Sequence, residues 1–451
     1  DSQAEEYVVV LKPDGSLHSL HHILAEASPG ASLSKDEAVA KGEAFLRNEK
    51  HVDLSQWSLL EAKSDKRPRR VDHTLTWEEK RALDSDAAAA HGSKANAHAR
   101  MQLQVLGDEV SDYRTYIKIP EEWTREQQQL TLPRTLLSMV LPAMVLGGLM
   151  ITALILFLKN LKSEDAQVIP WRRLGLWGFV ALACYITVFI FGDRIASFLN
   201  AYQTAVPLKT MFAGIAIGTV IGGAVYFAGL VFLFGVAWFF ARKAFGEDRL
   251  PTWSGMPAAY YRDALWIGLC GTAILVGLSK LTSAFSALWP TAHRSMGSSF
   301  GGDYDATLPA AAIFGTVLLR ALLYTGMVAL CASFLAAYVK QPWLKFLILV
   351  CAAIAMVGNN WGTPADFEKQ FVVGVAVLVV LVAGVTRVVR FNVLGYFLVA
   401  AAVGFLGAAA KLIPQPDAFY RTNGYVVLLL LAALFAGVFV AWRSRAAPPA
   451  V

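Results

Sequence analysis

The spacing of apolar residues changes once along the chain. Before residue 135 they alternate in short runs separated by turn residues, and from 136 to 442 they fill long blocks. In the first regime YVVVLKPDGSLHSLHHIL, residues 7–24, alternates around Pro13-Asp14-Gly15 and predicts a β-hairpin, since Asp-Gly supplies the turn and a period of two the strands. SLSKDEAVAKGEAFLRNEK then shifts to helical spacing. Ser34 followed by Glu37 is a capping box, and Ala38, Phe45 and Leu46 share one face, which predicts a helix over about 35–50. WSLLEA, VDHTLTWEE, ARMQLQVLGDEV and DYRTYIKIP predict further strands, the last two joined by a turn near Gly107 to Ser111. Residues 1–135 are therefore expected to form an α+β unit, one helix on an antiparallel sheet. DSDAAAAHGSKANA, between two of the strands, has the composition of a low-complexity loop.

The second regime predicts an all-α membrane bundle over 136–445, followed by a short tail, 446–451. Apolar stretches long enough to cross a bilayer lie near 136–158, 174–192, 210–241, 264–288, 309–339, 343–361, 371–388, 392–411 and 425–442, about nine in all. Lys159, Lys162, Arg172, Arg173, Arg242, Lys243, Arg249, Arg262, Lys340, Lys345, Arg387, Arg390, Arg443 and Arg445 crowd alternate loops, while the opposite loops carry fewer basic residues. Because basic loops are retained in the cytoplasm, the C-terminus is expected there and the α+β unit outside, which in a bacterium means the periplasm. In GIAIGTVIG, Gly214, Gly218 and Gly222 form a stripe along which another helix could approach, within the bundle or from a partner subunit.

Composition agrees with this division. The chain is 56% hydrophobic and 16% charged, with a mean hydropathy of +0.47, outside the range of an ordinary soluble domain. The net charge of +6 implies no nucleic-acid partner, because the basic residues of the second half sit at span ends. Cys184, Cys270, Cys331 and Cys351 all fall in apolar runs, which suggests packing residues rather than disulfides or zinc ligands. The chain opens DSQAEEYVVV, without a methionine or a basic signal region, so an upstream portion of the natural product is expected.

Candidate chemistry is sparse. His18, His21 and His22 fall on both faces of one strand and do not converge on an ion, so solvent-facing or packing roles are expected; Glu78, Glu79, Glu121 and Glu122 are expected on a solvated face. After residue 135 the only histidine is His293, and the acids lie in loops or at helix ends, so no metal site of paired histidines and no cofactor are expected in the bundle. GSSFG at 297–301 is formally G-x-S-x-G, with His293 and Asp303 nearby, but it lacks the strand and helix that a nucleophile elbow needs. GGDYD, with Asp303 and Asp305, is expected outside the hydrocarbon.

RVDHTLTWEE, followed by ARMQLQVLGDEVSDYRTYIKIPEEW and then directly by membrane spans, resembles the PepSY-like extracytoplasmic domain that precedes a CPBP (CAAX protease and bacteriocin-processing, or Abi) membrane domain. LKPDGSLHSLHHIL and PGASLSKDEAVAKGEAFL fit the same layout, and DYDATLPAAAIFGTVLLRALLYTG resembles the loop and span carrying that family's paired glutamates and arginine. At the matching position this chain reads TVLLRALLYT, with Arg320 and no acid, and no later Phe-x-x-x-His or His-x-x-x-Asn follows; Asn359 and Asn360 have no accompanying histidine. The resemblance thus implies a non-catalytic relative, a pseudoprotease acting as accessory or scaffold subunit or as client-binding protein, with membrane lipids and other membrane subunits as partners.

Arg320 lies in mid-span, roughly 17 Å below Pro309 at ~1.5 Å per residue. A charge there costs about 3 kcal/mol on insertion scales and usually faces a bundle interior or cavity. Lys280 is a second basic group within a span. Asp193, backbone carbonyls, a lipid phosphate and an acid of another subunit are the candidate acceptors. The rival readings are a transporter holding an anion at Arg320 and Lys280, and an active intramembrane protease with an unrecognised site.

Overall fold

The computed structural model describes residues 5–11, 17–83, 97–200, 202, 206–246, 256–287, 306–358, 361, 364–384 and 392–446. The chain divides into two compact units, Asp1–Leu132 with Tyr202–Ala213, and Pro133–Ala201 with Gly214–Val451.

The first unit is built on one antiparallel sheet of six strands: β1 (Glu6–Leu11), β2 (Leu17–Ile23), β3 (Trp57–Lys66), β4 (Val71–Leu83), β5 (Ala97–Leu106) and β6 (Glu109–Lys118), in the order β1-β2-β6-β5-β4-β3. The four later strands form a meander, and the N-terminal hairpin joins it through β2 and β6. Cross-strand partners share a face, so the pairs Leu75–Leu103 and Trp77–Met101 bring four apolar side chains to one side. Helix α1 (Lys35–Asn48) covers that side with Ala38 and Leu46, both fully buried. It lies so close that a Cβ on Gly42 would meet Leu75 Cδ1 at 2.9 Å and Trp77 Cη2 at 3.0 Å. The capping box forms as the sequence predicts: Glu37 N–H donates to Ser34 Oγ, and Glu37 Oε2 accepts from Ser34 N–H at 2.8 Å. Gly107 takes φ +64°, a left-handed conformation suited to glycine, and turns β5 into β6. The expected low-complexity loop falls outside the described residues except for its last residue, Ala97, which opens β5.

A buried ion cluster fastens the segment before α1 to this sheet. Arg70 and Asp72 are each 4% exposed; Arg70 Nε donates to Asp72 Oδ1 at 2.7 Å, and its Nη1 donates to the carbonyls of Ala25 and Ser28, each at 2.9 Å. Arg67 bridges Asp72 and Glu26 at 3.2 and 2.6 Å. His73 bonds through one ring nitrogen to Ser64 Oγ at 2.9 Å and through the other to the Leu33 carbonyl at 3.0 Å.

After α2 (Glu121–Thr135) the second unit is helical: α3 (Leu141–Lys159), α4 (Trp171–Phe191), the short α5 (Arg194–Asn200), α6 (Leu208–Phe245, whose first turns belong to the first unit), α7 (Ala258–Ala287), α8 (Pro309–Tyr338), α9 (Pro342–Val357), α10 (Pro364–Ala383), α11 (Val393–Leu412) and α12 (Ala418–Ala446). Among the described residues seven helices are long and apolar enough to cross a membrane, where the sequence predicts about nine. The two that fall short are identifiable. Helix α9 has only 16 residues, and α10 carries Asp366, Glu368 and Lys369 near its start, leaving too little uncharged length.

Helix α8 is the axis of the bundle. In its most apolar window 56% of residues are buried, whereas no other span exceeds 39%. Glycines let its neighbours approach: a Cβ on Gly315 would lie 2.7 Å from the Cys184 carbonyl oxygen of α4, one on Gly326 2.7 Å from Leu233 of α6, and one on Gly404 of α11 2.9 Å from Val317. Two asparagines secure helix ends. Asn423 Oδ1 accepts from Ala310 N–H at 3.0 Å, tying the first turn of α8 to α12, and Asn392 Oδ1 accepts from Gly395 N–H at 2.9 Å to cap α11. Cys184 and Cys351 are buried as packing residues, but Cys270 and Cys331 lie on exposed helix faces, contrary to the expectation for all four.

Candidate functional site: a cationic cavity in the bundle

One face of α8 repeats Ile313, Thr316, Val317, Arg320 and Tyr324 at helical spacing, and α11 answers with Tyr396, Ala400, Val403, Gly404, Gly407 and Lys411. Between these faces, with α7 and the end of α10 completing the wall, lies a cavity of about 660 Å³. Its lining is mainly aliphatic and glycine, with two cations, Arg320 and Lys411, and no carboxylate among the described residues. Arg320 is exposed, and among the described residues it makes no hydrogen bond or ion pair.

The depth of the two cations follows from the packing. The Asn423–Ala310 bond sets the start of α12 beside the start of α8, and Gly424 of α12 packs on Leu412 and Ile413, so the end of α11 lies beside the start of α8 and the two helices run antiparallel. Gly404 is level with Val317. At ~1.5 Å per residue, Lys411 and Arg320 are then roughly 15 Å apart along the axis, Lys411 near the end of the bundle and Arg320 in mid-span. Helical side chains lean toward their own N-terminus, and in an antiparallel pair these two lean toward each other's level. The cavity therefore has one cation near the end of the bundle and one part-way along its length, with Tyr324 and Val328 lining it beyond Arg320.

A second cavity, of about 360 Å³, lies between α4, α6, α7, α8 and α11, walled by Trp177, Trp238, Tyr260 and Phe397 with Arg173 at its rim. Trp238 Nε1 is buried there without a hydrogen-bond partner among the described residues. Thr325, whose hydroxyl donates to the Ala321 carbonyl at 2.6 Å, lines both cavities.

The structure places the other sequence candidates apart from this site. Lys280 is exposed on α7 and does not line the cavity. Asp193 precedes α5, where its Oδ2 accepts from Ser197 Oγ at 3.3 Å, and is not brought to Arg320. Of the glycine stripe, only Gly222 is packed, against Tyr185; a Cβ on Gly214 or Gly218 would meet no atom within 4 Å. Asn359, Asn360, His293, Ser299, Asp303 and Asp305 lie outside the described residues. Among the described residues no three histidine, cysteine or carboxylate groups come together as a metal site.

In the first unit, His22 is 3% exposed, stacked on Tyr7 with ring centroids 3.7 Å apart, with Nε2 3.0 Å from Glu5 and Nδ1 3.2 Å from Glu109. His21, one residue on, is exposed beside Asp112. Glu78 departs from the expected solvated face, for it is half-buried and paired with Arg100 at 2.7 Å. Sequence reading did not single out Lys411. Its signal was the spacing Gly404-Gly407-Lys411, which puts a lysine on one helix face with two glycines, the first packed on Val317 and the second facing open space.

Comparison with family models, with curated proteins and with solved structures finds no match to this chain.

Proposed function

We propose that this chain is a multi-pass protein of a bacterial inner membrane that works by binding: an accessory or scaffold subunit, non-catalytic and CPBP-like in layout, with its PepSY-like sheet domain in the periplasm and its C-terminus in the cytoplasm. Arg320 carries the reading. A guanidinium in mid-span, open to a cavity and with no acid beside it among the described residues, is a group kept for something that arrives. Two cations also suit an anionic partner better than a hydrolytic metal ion, which they would repel. The uneven distribution of lysine and arginine among the loops supports the orientation.

The test is a photoreactive residue in place of Tyr324, at the rim of the cavity, irradiated in intact cells. A membrane client or subunit crosslinked at Tyr324 and lost in Arg320→Gln is the expected result. Hydrolysis of a membrane-embedded peptide by the purified full chain would overturn it in favour of a protease.

One observation favours a second reading, anion transport. The two cavities share Thr325 in their walls, so they adjoin across α8. Uptake of a labelled anion by vesicles containing the full chain, abolished in Arg320→Gln, would establish it. Lys411 rather than Lys280 would then be the second cation.

A further inference from the structure

We infer that the cavity between α7, α8 and α11 is a binding site for a phosphate group carried by an amphiphile, with Arg320 and Lys411 as its two cationic ligands. The inference rests on the binding role of Arg320 proposed above and names what binds there.

The charge pattern comes first. A carboxylate offers one charge and two oxygens, whereas a phosphate offers more oxygens and, as a monoester, up to two charges, which matches two cations on facing helices in an otherwise apolar wall. Tyr324 and Thr316 add hydroxyls on the same face of α8. The size comes second. A space of about 660 Å³ is much larger than a phosphate and is lined mainly by Val, Ile, Leu, Ala and Gly, so the ligand must bring apolar volume with it. The way in comes third. Ile274, Tyr324 and Val328, all on the cavity wall and away from the ends of their helices, are 53%, 58% and 37% exposed, so the cavity is accessible at the depth where a bilayer is hydrocarbon. An acyl chain enters by that route, and an ion in water does not. Room for it is visible at Gly407 and Gly384, where an added Cβ would meet nothing within 4 Å.

The experiment uses the full chain in nanodiscs of zwitterionic lipid, with spin-labelled phosphatidic acid as probe, spin-labelled diacylglycerol as the uncharged control, and inorganic phosphate as competitor. Phosphatidic acid should associate preferentially over diacylglycerol, and Arg320→Gln and Lys411→Gln should each weaken it on the order of tenfold to a hundredfold, the range for one charged hydrogen-bonding partner. Gly407→Leu leaves both cations and fills the space, so it should block association while the protein keeps its elution volume and melting temperature. Phosphatidic acid bound despite excess inorganic phosphate assigns a lipid source, and full displacement by inorganic phosphate supports the phosphate site but assigns it a soluble ester. Equal association of the two lipids, or association unaffected by Arg320→Gln and Gly407→Leu, would overturn the inference. If in that case the Tyr324 crosslink to a protein client still depends on Arg320, the binding-subunit reading stands without it. If the crosslink is also indifferent to Arg320, both fall.

Discussion

Arg70 is buried in the first unit and Arg320 sits in the middle of an apolar helix, and the chain surrounds them differently. Arg70, at 4% exposure in the first unit, has Asp72 at 2.7 Å and two backbone carbonyls at 2.9 Å, so its charge and most of its donors are answered by residues that also hold the chain in place. Arg320, in a bundle helix, has a cavity. A buried charge that is fully paired works as a clamp, and deleting its partner leaves an ion stranded. A charge with nothing beside it contributes no clamp, so its retention requires another reason. On the function proposed above, the contrast separates an arginine that holds the fold together from one kept for binding.

The contrast is broken or sharpened first by deleting charges. Asp72→Ala strands Arg70 and is expected to destabilise the first unit by about 3–5 kcal/mol, read as lost hydrogen-exchange protection of β4 amides in the full chain. Arg320→Leu should do the opposite. It removes an ion whose placement in mid-span costs about 3 kcal/mol, so the bundle should melt at the same temperature or higher. A melting temperature lowered as far as by Asp72→Ala would make Arg320 structural.

The next effect in size concerns glycines. Gly315→Val drives a side chain against the Cys184 carbonyl oxygen, an atom of helix backbone that cannot swing aside, and should cost about 1–3 kcal/mol in thermal unfolding. Gly407→Leu points into open space and should not change stability. If the two variants melt alike, the cavity is not open in the folded protein.

Smaller still is the α1 cap. Ser34→Ala should cost about 1 kcal/mol, measured by exchange at the first amides of α1. Bonds from the Ser34 backbone and hydroxyl hold the Glu37 carboxyl below the usual carboxylate range. A depressed folded pKa means that this contribution is present above the ordinary glutamate value and disappears as pH falls through the folded one. The stability difference between wild type and Glu37→Gln should therefore shrink toward acid pH; a constant difference would show that the charge of Glu37 is irrelevant to the cap.

The sheet unit was legible in the sequence because its signals are local. Leu75 and Trp77, and Met101 and Leu103, alternate as half-buried strands must, Ser34 and Glu37 announce a helix start, and Gly107 marks a turn. Among the described residues α9 and α10 fall short of a span, because apolar composition registers there while length and three charges do not. Arg70 and Asp72 sit within a stretch readable as strand, yet nothing local shows that β4 and the 25–33 segment would bury them. The cavity was half legible. Arg320 stands out as a charge in an apolar run, but its neighbour Lys411, distant in sequence, depends on α8 and α11 running antiparallel with Gly404 against Val317, and that is a tertiary fact.

The claim on which the account rests is that Arg320 serves recognition rather than stability. The most direct measurement is the melting temperature of wild type and Arg320→Gln, each with and without phosphatidic acid, since a ligand that binds only the folded state raises it. Equal melting of the two proteins without the lipid, with a rise on its addition in wild type alone, is the predicted result. A variant that starts lower and gains as much as wild type would contradict the account.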